Sequence, residues 1–155
     1  VETHLAAAHR ETGKIMVEIT TDSATFKYFP MSPTSNHLYM VIRGRLVKSS
    51  EGRLYLQKVG QWYSKNKSAV DKLKAILRDR TLRVDCAFYF PRSKLLTKKN
   101  TLKKLDATNR FKALHDALSQ VIGVDDSHFI SGYFEKRISE NDESYVEITI
   151  SEAKL

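Results

Sequence analysis

Leu82-Arg83-Val84-Asp85-Cys86-Ala87-Phe88-Tyr89-Phe90 alternates with a period of two, and Phe111-Lys112-Ala113-Leu114-His115-Asp116-Ala117-Leu118-Ser119-Gln120-Val121-Ile122 repeats its apolar residues every three or four. The first spacing places Leu82, Val84, Cys86, Phe88 and Phe90 on one face of a strand. The second places Phe111, Leu114, Ala117, Leu118, Val121 and Ile122 on one stripe of a helix, with Asn109, Lys112 and Asp116 turned away from the core. Pro91 ends the strand, Thr108 stands where an N-cap is expected, and Gly123 is placed to stop the helix. A strand with one strongly apolar face and an amphipathic helix of this kind belong to a sheet covered by helices.

Working outward, residues 64–80 carry Ala69, Val70, Leu73, Ile76 and Leu77 at helical spacing among lysines and arginines, which predicts a second amphipathic helix. Trp62 and Tyr63 precede it and are expected to anchor its start. Residues 15–20 and 26–29 are β-compatible, and Pro30 and Pro33 then break regular structure. Residues 38–42 and 53–57 read as strands around a 44–52 connection, giving a hairpin or long flap. Downstream, 129–137 and 145–150 read as strands joined by the polar turn 139–143. Residues 92–104 hold six cations and no acid and read as a mobile basic loop. The order predicts one α+β domain with a mixed sheet and two main helices.

The composition allows this. With 155 residues, 41% of them hydrophobic, the chain suits a single domain with a core of its own. Its 26 Lys and Arg against 18 Asp and Glu, with a pI near 9.6, favour a polyanionic partner such as nucleic acid. Cys86, the single cysteine, lies on the apolar face of its strand, so no intrachain disulfide forms and a buried thiol is expected. Apolar runs fall far short of the roughly 20 residues that cross a bilayer, so a soluble protein with no membrane partner is expected. Val1 opens the chain without methionine, and residues 1–14 lack the features of a signal peptide. They read as an extension, either a cloning remnant or a terminal arm, with Met16 a candidate internal start and the domain at 15–155.

Against this positive background, the acidic pair Asp125-Asp126 and the nearby Asp106 and Asp116 stand out. Phosphodiester hydrolysis needs charge neutralised on the phosphate, a nucleophilic water and a stabilised leaving oxygen, and divalent cations held by carboxylates supply most of this. Asp106, Asp125 and Asp126 offer oxygen ligands. Closely held carboxylates repel one another, which makes a divalent cation their natural partner. Lys112 can set a fixed positive charge near the scissile phosphate. At i and i+4, Lys112 and Asp116 equally make an ordinary exposed helix pair, and spacing leaves both readings open. The histidines lack the spacing or cysteine partners of a zinc site. His128 is expected to serve packing or a turn, with support of the acidic pair as the alternative. No phosphate-binding Gly-Lys-Ser/Thr loop or Gly-x-Gly-x-x-Gly is present.

The stretch Asp106-Ala107-Thr108-Asn109-Arg110-Phe111-Lys112, then Asp116-Ala117-Leu118, then Asp125-Asp126, resembles the RusA family of Holliday junction resolvases, whose pattern is Asp-x-Asp-Asn-x-x-Lys, Asp-Ala-Leu and a paired Asp-Asp. Upstream, Pro33-Thr34-Ser35-Asn36-His37-Leu38-Tyr39, Gly44-Arg45 and Leu54-Tyr55-Leu56 resemble its N-terminal signature, so the likeness runs from about residue 32 to 137. The resemblance implies a RusA-like α+β fold and a small homodimeric endonuclease of bacterial or phage-infected cytoplasm. Such an enzyme acts in DNA recombination and repair, binding four-way junctions and placing paired nicks with Mg²⁺, for which Mn²⁺ can substitute. By position it implies that Asp106 and Asp126, with Asp125 beside them, hold metal and take part in catalysis with Lys112, and that Thr108, Asn109 and Asp116 support the site. Lys94, Lys98, Lys99, Lys103, Lys104 and Asn36 then contact DNA, the lysines gripping backbone rather than reading bases. One departure stands out: Thr108 replaces the second aspartate of the pattern. Either metal is held with less charge, or Asp116 or Asp125 compensates, or the protein binds junctions and cuts poorly. A junction-binding or architectural protein with lost catalysis is therefore the rival reading, and an RNA-directed protein a third.

Overall fold

The computed structural model describes residues 7–11 and 14–155. In chain order its elements are β1 (Ala7–Glu11), β2 (Lys14–Ile19), β3 (Ser23–Pro30), β4 (Tyr39–Ile42), β5 (Arg45–Lys48), α1 (Ser50–Leu77), β6 (Leu82–Phe90), α2 (Arg92–Leu95), α3 (Phe111–Ile122), β7 (Phe129–Ser131), β8 (Phe134–Ile138) and β9 (Tyr145–Glu152). Seven strands form one sheet, β1-β2-β3-β9-β6, with β7 and β8 following one another along the far side of β6. β6 is antiparallel to β9 and parallel to β7 and β8, so the sheet is mixed, as the order of elements predicts.

Alternation on three central strands builds one apolar face. Ala24, Phe26 and Phe29 of β3, Val146, Ile148 and Ile150 of β9, and Val84, Cys86 and Phe88 of β6 are all buried against α1 and α3. Trp62 packs its ring 4.9 Å from Phe26 and 5.1 Å from Phe29, and its indole N–H donates to the Lys27 carbonyl. Burying each such side chain stabilises the fold by about 1.5–3 kcal/mol before entropy is counted. The opposite face carries a run of aromatic rings, with Tyr145 4.8 Å from Tyr28 and 4.7 Å from Tyr89. Cys86 is buried as expected, and burial pushes its thiol up to about 12, so it stays protonated and unreactive.

Several expectations are corrected. Residues 53–57 are not a strand; they belong to α1, which begins at Ser50 and not near residue 64. Buried Tyr55, Val59, Trp62, Asn66, Val70, Leu73 and Leu77 recur every three or four residues, and the Ser49 hydroxyl accepts from the Gly52 N–H as N-cap. Trp62 and Tyr63 therefore sit inside the helix. The true partner of residues 39–42 is β5, joined through Arg43-Gly44, both at positive φ, as a two-residue hairpin requires. Residues 92–104 are hydrogen-bonded into a compact loop: α2 buries Leu95, Leu96 bridges Leu102, and Lys103 N–H donates to the Leu95 carbonyl at 2.7 Å. Strand 129–137 is broken at Gly132, where a Cβ would come within 1.9 Å of the Val84 carbonyl oxygen. The polar turn joins β8 to β9 without pairing them, because β6 lies between. Within the stretch read as an extension, Ala7–Glu11 pairs antiparallel with β2, and residues 1–6 and 12–13 lie outside the described residues. Among the described residues, no helix is long and apolar enough to cross a membrane.

Candidate active site

Helix α3 carries the candidate residues, and its two ends are built differently. At the N-terminal end Ala107 is buried while Asp106 and Thr108 stay exposed. A 3-10 turn, Thr108–Arg110, leads into the helix. Thr108 is not its cap. The Asp106 carboxylate performs that task, accepting from the Asn109 N–H at 3.0 Å and from the Thr108 hydroxyl at 2.8 Å. Those two bonds, the Asn109 N–H foremost, hold the Asp106 carboxyl below its ordinary range, so it is ionised. Asn109 in turn accepts from the Ser35 hydroxyl at 2.9 Å, tying the turn to the segment that presents exposed Asn36. Arg110 donates to the Ser32 carbonyl at 2.6 Å, and buried Ser32 returns a bond to the Arg110 carbonyl.

At the other end Gly123 adopts φ +68 and donates to Ser119, closing the helix as expected. Val124 is buried, which turns the chain so that Asp125 begins a 3-10 turn, Asp126–His128. The Asp125 carboxylate accepts from the Ser127 hydroxyl and N–H, which depress its pKa in that order. His128 Nδ1 lies 2.9 Å from the Arg80 carbonyl, the turn-packing role expected of it.

Between these ends, Ala113, Asp116, Ala117 and Gln120 face the start of α1. With Asp125 and Asp126 they line a solvent-open cavity of about 270 Å³, closed on the far side by Tyr39, Lys48 and Tyr55. Asp116, Asp125 and Asp126 therefore share one pocket. Asp106 is not among its lining residues, and α3 alone, at 1.5 Å per residue, spans about 18 Å. Lys112 Nζ lies 3.3 Å from Asp116, both side chains well exposed, so the exposed-pair reading and the catalytic one coexist in the same geometry. His115, beside Asp116, sits among Phe111 and Phe129, with ring centroids 5.3 and 5.4 Å away. Burial lowers its pKa against the pull of Asp126 and Asp116, which keeps the imidazole neutral at neutral pH.

Among the described residues, no three His, Cys, Asp or Glu side chains are close enough to hold a metal ion by themselves. Mg²⁺ does not require that: it keeps several waters and binds through one or two carboxylates plus substrate phosphate. A pocket edged by three carboxylates and open to solvent fits that chemistry.

The basic residues form a separate surface. Arg92, Lys94, Lys98 and Lys103 line a broad groove of about 770 Å³ over the compact loop. Lys103 is held there by the Ser93 carbonyl at 2.6 Å. Lys98, Lys99 and Lys104 are exposed. The sequence placed Tyr39 of the pocket wall in a strand and in the N-terminal signature without a site role, and passed over Lys48 because residues 44–52 read as a connection. Ser49 three residues before Gly52, followed by the Tyr55, Val59, Trp62 spacing, was the available signal for the helix start.

Residues 29–151 match the family model described as endodeoxyribonuclease RusA, a span that holds α3, both acidic ends, the pocket and the basic loop. Among individual curated proteins, none matches.

Proposed function

The chain belongs to the endodeoxyribonuclease RusA family, and from that premise we propose that this hydrolytic endonuclease is a Mg²⁺-dependent resolvase of four-way DNA junctions acting as a homodimer. The observation that carries the reading is the convergence of Asp116, Asp125 and Asp126 on one pocket in a chain of net charge +8. Carboxylates so placed exclude phosphate unless their charge is offset. Mg²⁺, when bound, supplies that offset and the acidity that makes water nucleophilic.

One or two of Asp125, Asp126 and Asp116 serve as direct ligands and the rest act through bound water, while the family pattern adds Asp106, which stands at the opposite end of α3 and outside this pocket. Lys112 exchanges its partner Asp116 for the transferring phosphate, putting a fixed positive charge where negative charge grows. Asn109 keeps the α3 entrance in register through Ser35, and Thr108 holds the Asp106 carboxylate in place. Lys94, Lys98, Lys99, Lys103, Lys104 and Asn36 grip the DNA backbone. Two active sites in a dimer suit two opposed cuts.

A synthetic four-way junction tests this. Wild-type protein should give paired nicks in opposing strands with Mg²⁺ and none with chelator, and Asp126→Asn should lower the rate at least a hundredfold. Junction binding without any metal-dependent product would instead support the architectural reading, which the Thr108 hydroxyl in place of a carboxylate favours.

A further inference from the structure

No residue of β4 or β5 is buried, although the hairpin carries Tyr39, Met40, Val41, Ile42 and Leu46. Val41 is 70% and Leu46 69% exposed. Large apolar side chains left partly in water forgo the free energy of burial, so five on one ribbon mark a surface that a partner covers. The hairpin is a sheet of its own, unattached to the main sheet. Its register sets Tyr39 opposite Lys48 and Val41 opposite Leu46, all on one face. Tyr39 and Lys48, at the root, line the acidic pocket, so the Val41 and Leu46 face continues outward from that pocket.

The root is held firmly. Ser49 N–H donates to the Leu38 carbonyl at 2.9 Å, and the Ser49 hydroxyl donates to the His37 carbonyl. A Cβ at Gly52 would meet the Leu38 oxygen at 2.8 Å, so glycine there allows the ribbon to lie close to α1. The tip is the tight Arg43-Gly44 turn flanked by Arg45, and residues 39–48 hold three cations and no acid. Two such arms from two copies of the chain would repel each other. A polyanion with exposed apolar surfaces complements both features.

We propose that this hairpin is a wedge for the branch point of DNA, an inference that rests on the branched-substrate reading above. Val41 and Leu46 pack on the base pairs that lose a stacking neighbour where strands exchange, and Arg43 and Arg45 bind the flanking phosphates. Apolar side chains inserted at base steps unstack and bend DNA in this way in other proteins. The wedge makes the pocket selective: only DNA already open at the centre seats it cheaply while bringing a phosphate to Asp126.

The test uses the full chain, a junction with 2-aminopurine at its branch point, and a linear duplex of the same arm sequence, both without divalent metal. Wild-type protein is expected to prefer the junction and to raise 2-aminopurine fluorescence as the base loses its neighbour. Val41→Ser combined with Leu46→Ser is expected to lose about tenfold of that preference, with duplex affinity unchanged and little fluorescence rise. Both side chains are exposed, and an unchanged Tm verifies the fold. Full preference and full fluorescence in the variant overturn the wedge and leave the substrate reading standing. Wild-type protein that binds both DNAs alike overturns the substrate reading and the wedge with it. A wild-type dimer that the same substitutions turn into monomers assigns the hairpin to a second copy and also overturns the proposal.

Discussion

Thr108 donates its hydroxyl to Asp106, where the family pattern has a second aspartate. A carboxylate there would stand beside Asp106, repel it, and demand a cation. Thr108→Asp is therefore expected to lower Tm in chelator, to recover it on Mg²⁺ addition, and to raise the rate of junction cleavage about tenfold or more; an unchanged rate would place the working ion at the other end of α3, beside Asp125 and Asp126. Lys112 separates structure from chemistry in the same way. Its exposed bond to Asp116 is worth at most about 1 kcal/mol, so Lys112→Ala should leave stability nearly unchanged while cutting kcat by about a hundredfold. The site acids were legible in the sequence, because ionisable clusters in a basic chain are chemically conspicuous. The capping role of Asp106 was not: whether Asp or Thr caps depends on backbone angles two residues on, and the composition is compatible with either.

At the scale of elements, the two segments with unambiguous periods, β6 and α3, were legible nearly to the residue, with Gly123 as the stop. α1 was misjudged at its start because Leu54 and Leu56 alternate over a window too short to separate period two from helical spacing. Leu54 proves half exposed, and Tyr55 is the buried residue. The Tyr55 hydroxyl is buried without a hydrogen-bond partner, and burial raises its pKa above the ordinary tyrosine range. Tyr55→Phe removes that orphan and is expected to stabilise the protein by about 1 kcal/mol, a Tm rise of about 2–4 °C by calorimetry. On the open face of the sheet, burial, followed by the neighbouring Tyr28 and Tyr89, pushes the Tyr145 phenol up to about 12. Its pKa is raised in the folded state, so its contribution to stability is intact below pH 10 and drains away as pH rises through the folded value. Spectrophotometric titration should show two late tyrosines, Tyr145 and Tyr55, of which the earlier is missing in Tyr145→Phe.

For the whole molecule, the sequence carried the class and order of elements but not the pairing. Nothing in residues 129–150 says that β9 crosses to the other side of β6; there it pairs with the edges of both β3 and β6 and extends the apolar face that α1 and α3 cover. Nor does the sequence show that α3 turns its Asp116 side toward a pocket also edged by Asp125 and Asp126, since that requires the Val124 anchor and the packing of α3 on α1. The resulting division of the surface, an acidic pocket, a basic loop and a projecting cationic hairpin, predicts strongly salt-dependent DNA binding. The logarithm of affinity should fall by about 0.9 per neutralised phosphate per log unit of salt, and replacing Lys98 and Lys99 with alanine should reduce that slope by about two.

The pocket edged by Asp116, Asp125 and Asp126 is the proposed seat of the ion that the chemistry uses. Paramagnetic Mn²⁺ added substoichiometrically to isotope-labelled protein locates that ion independently of any cleavage. Amide signals of residues 116 and 124–127 should broaden first, and Asp126→Asn should abolish the effect. Broadening centred elsewhere, or broadening indifferent to Asp126→Asn, would contradict the account.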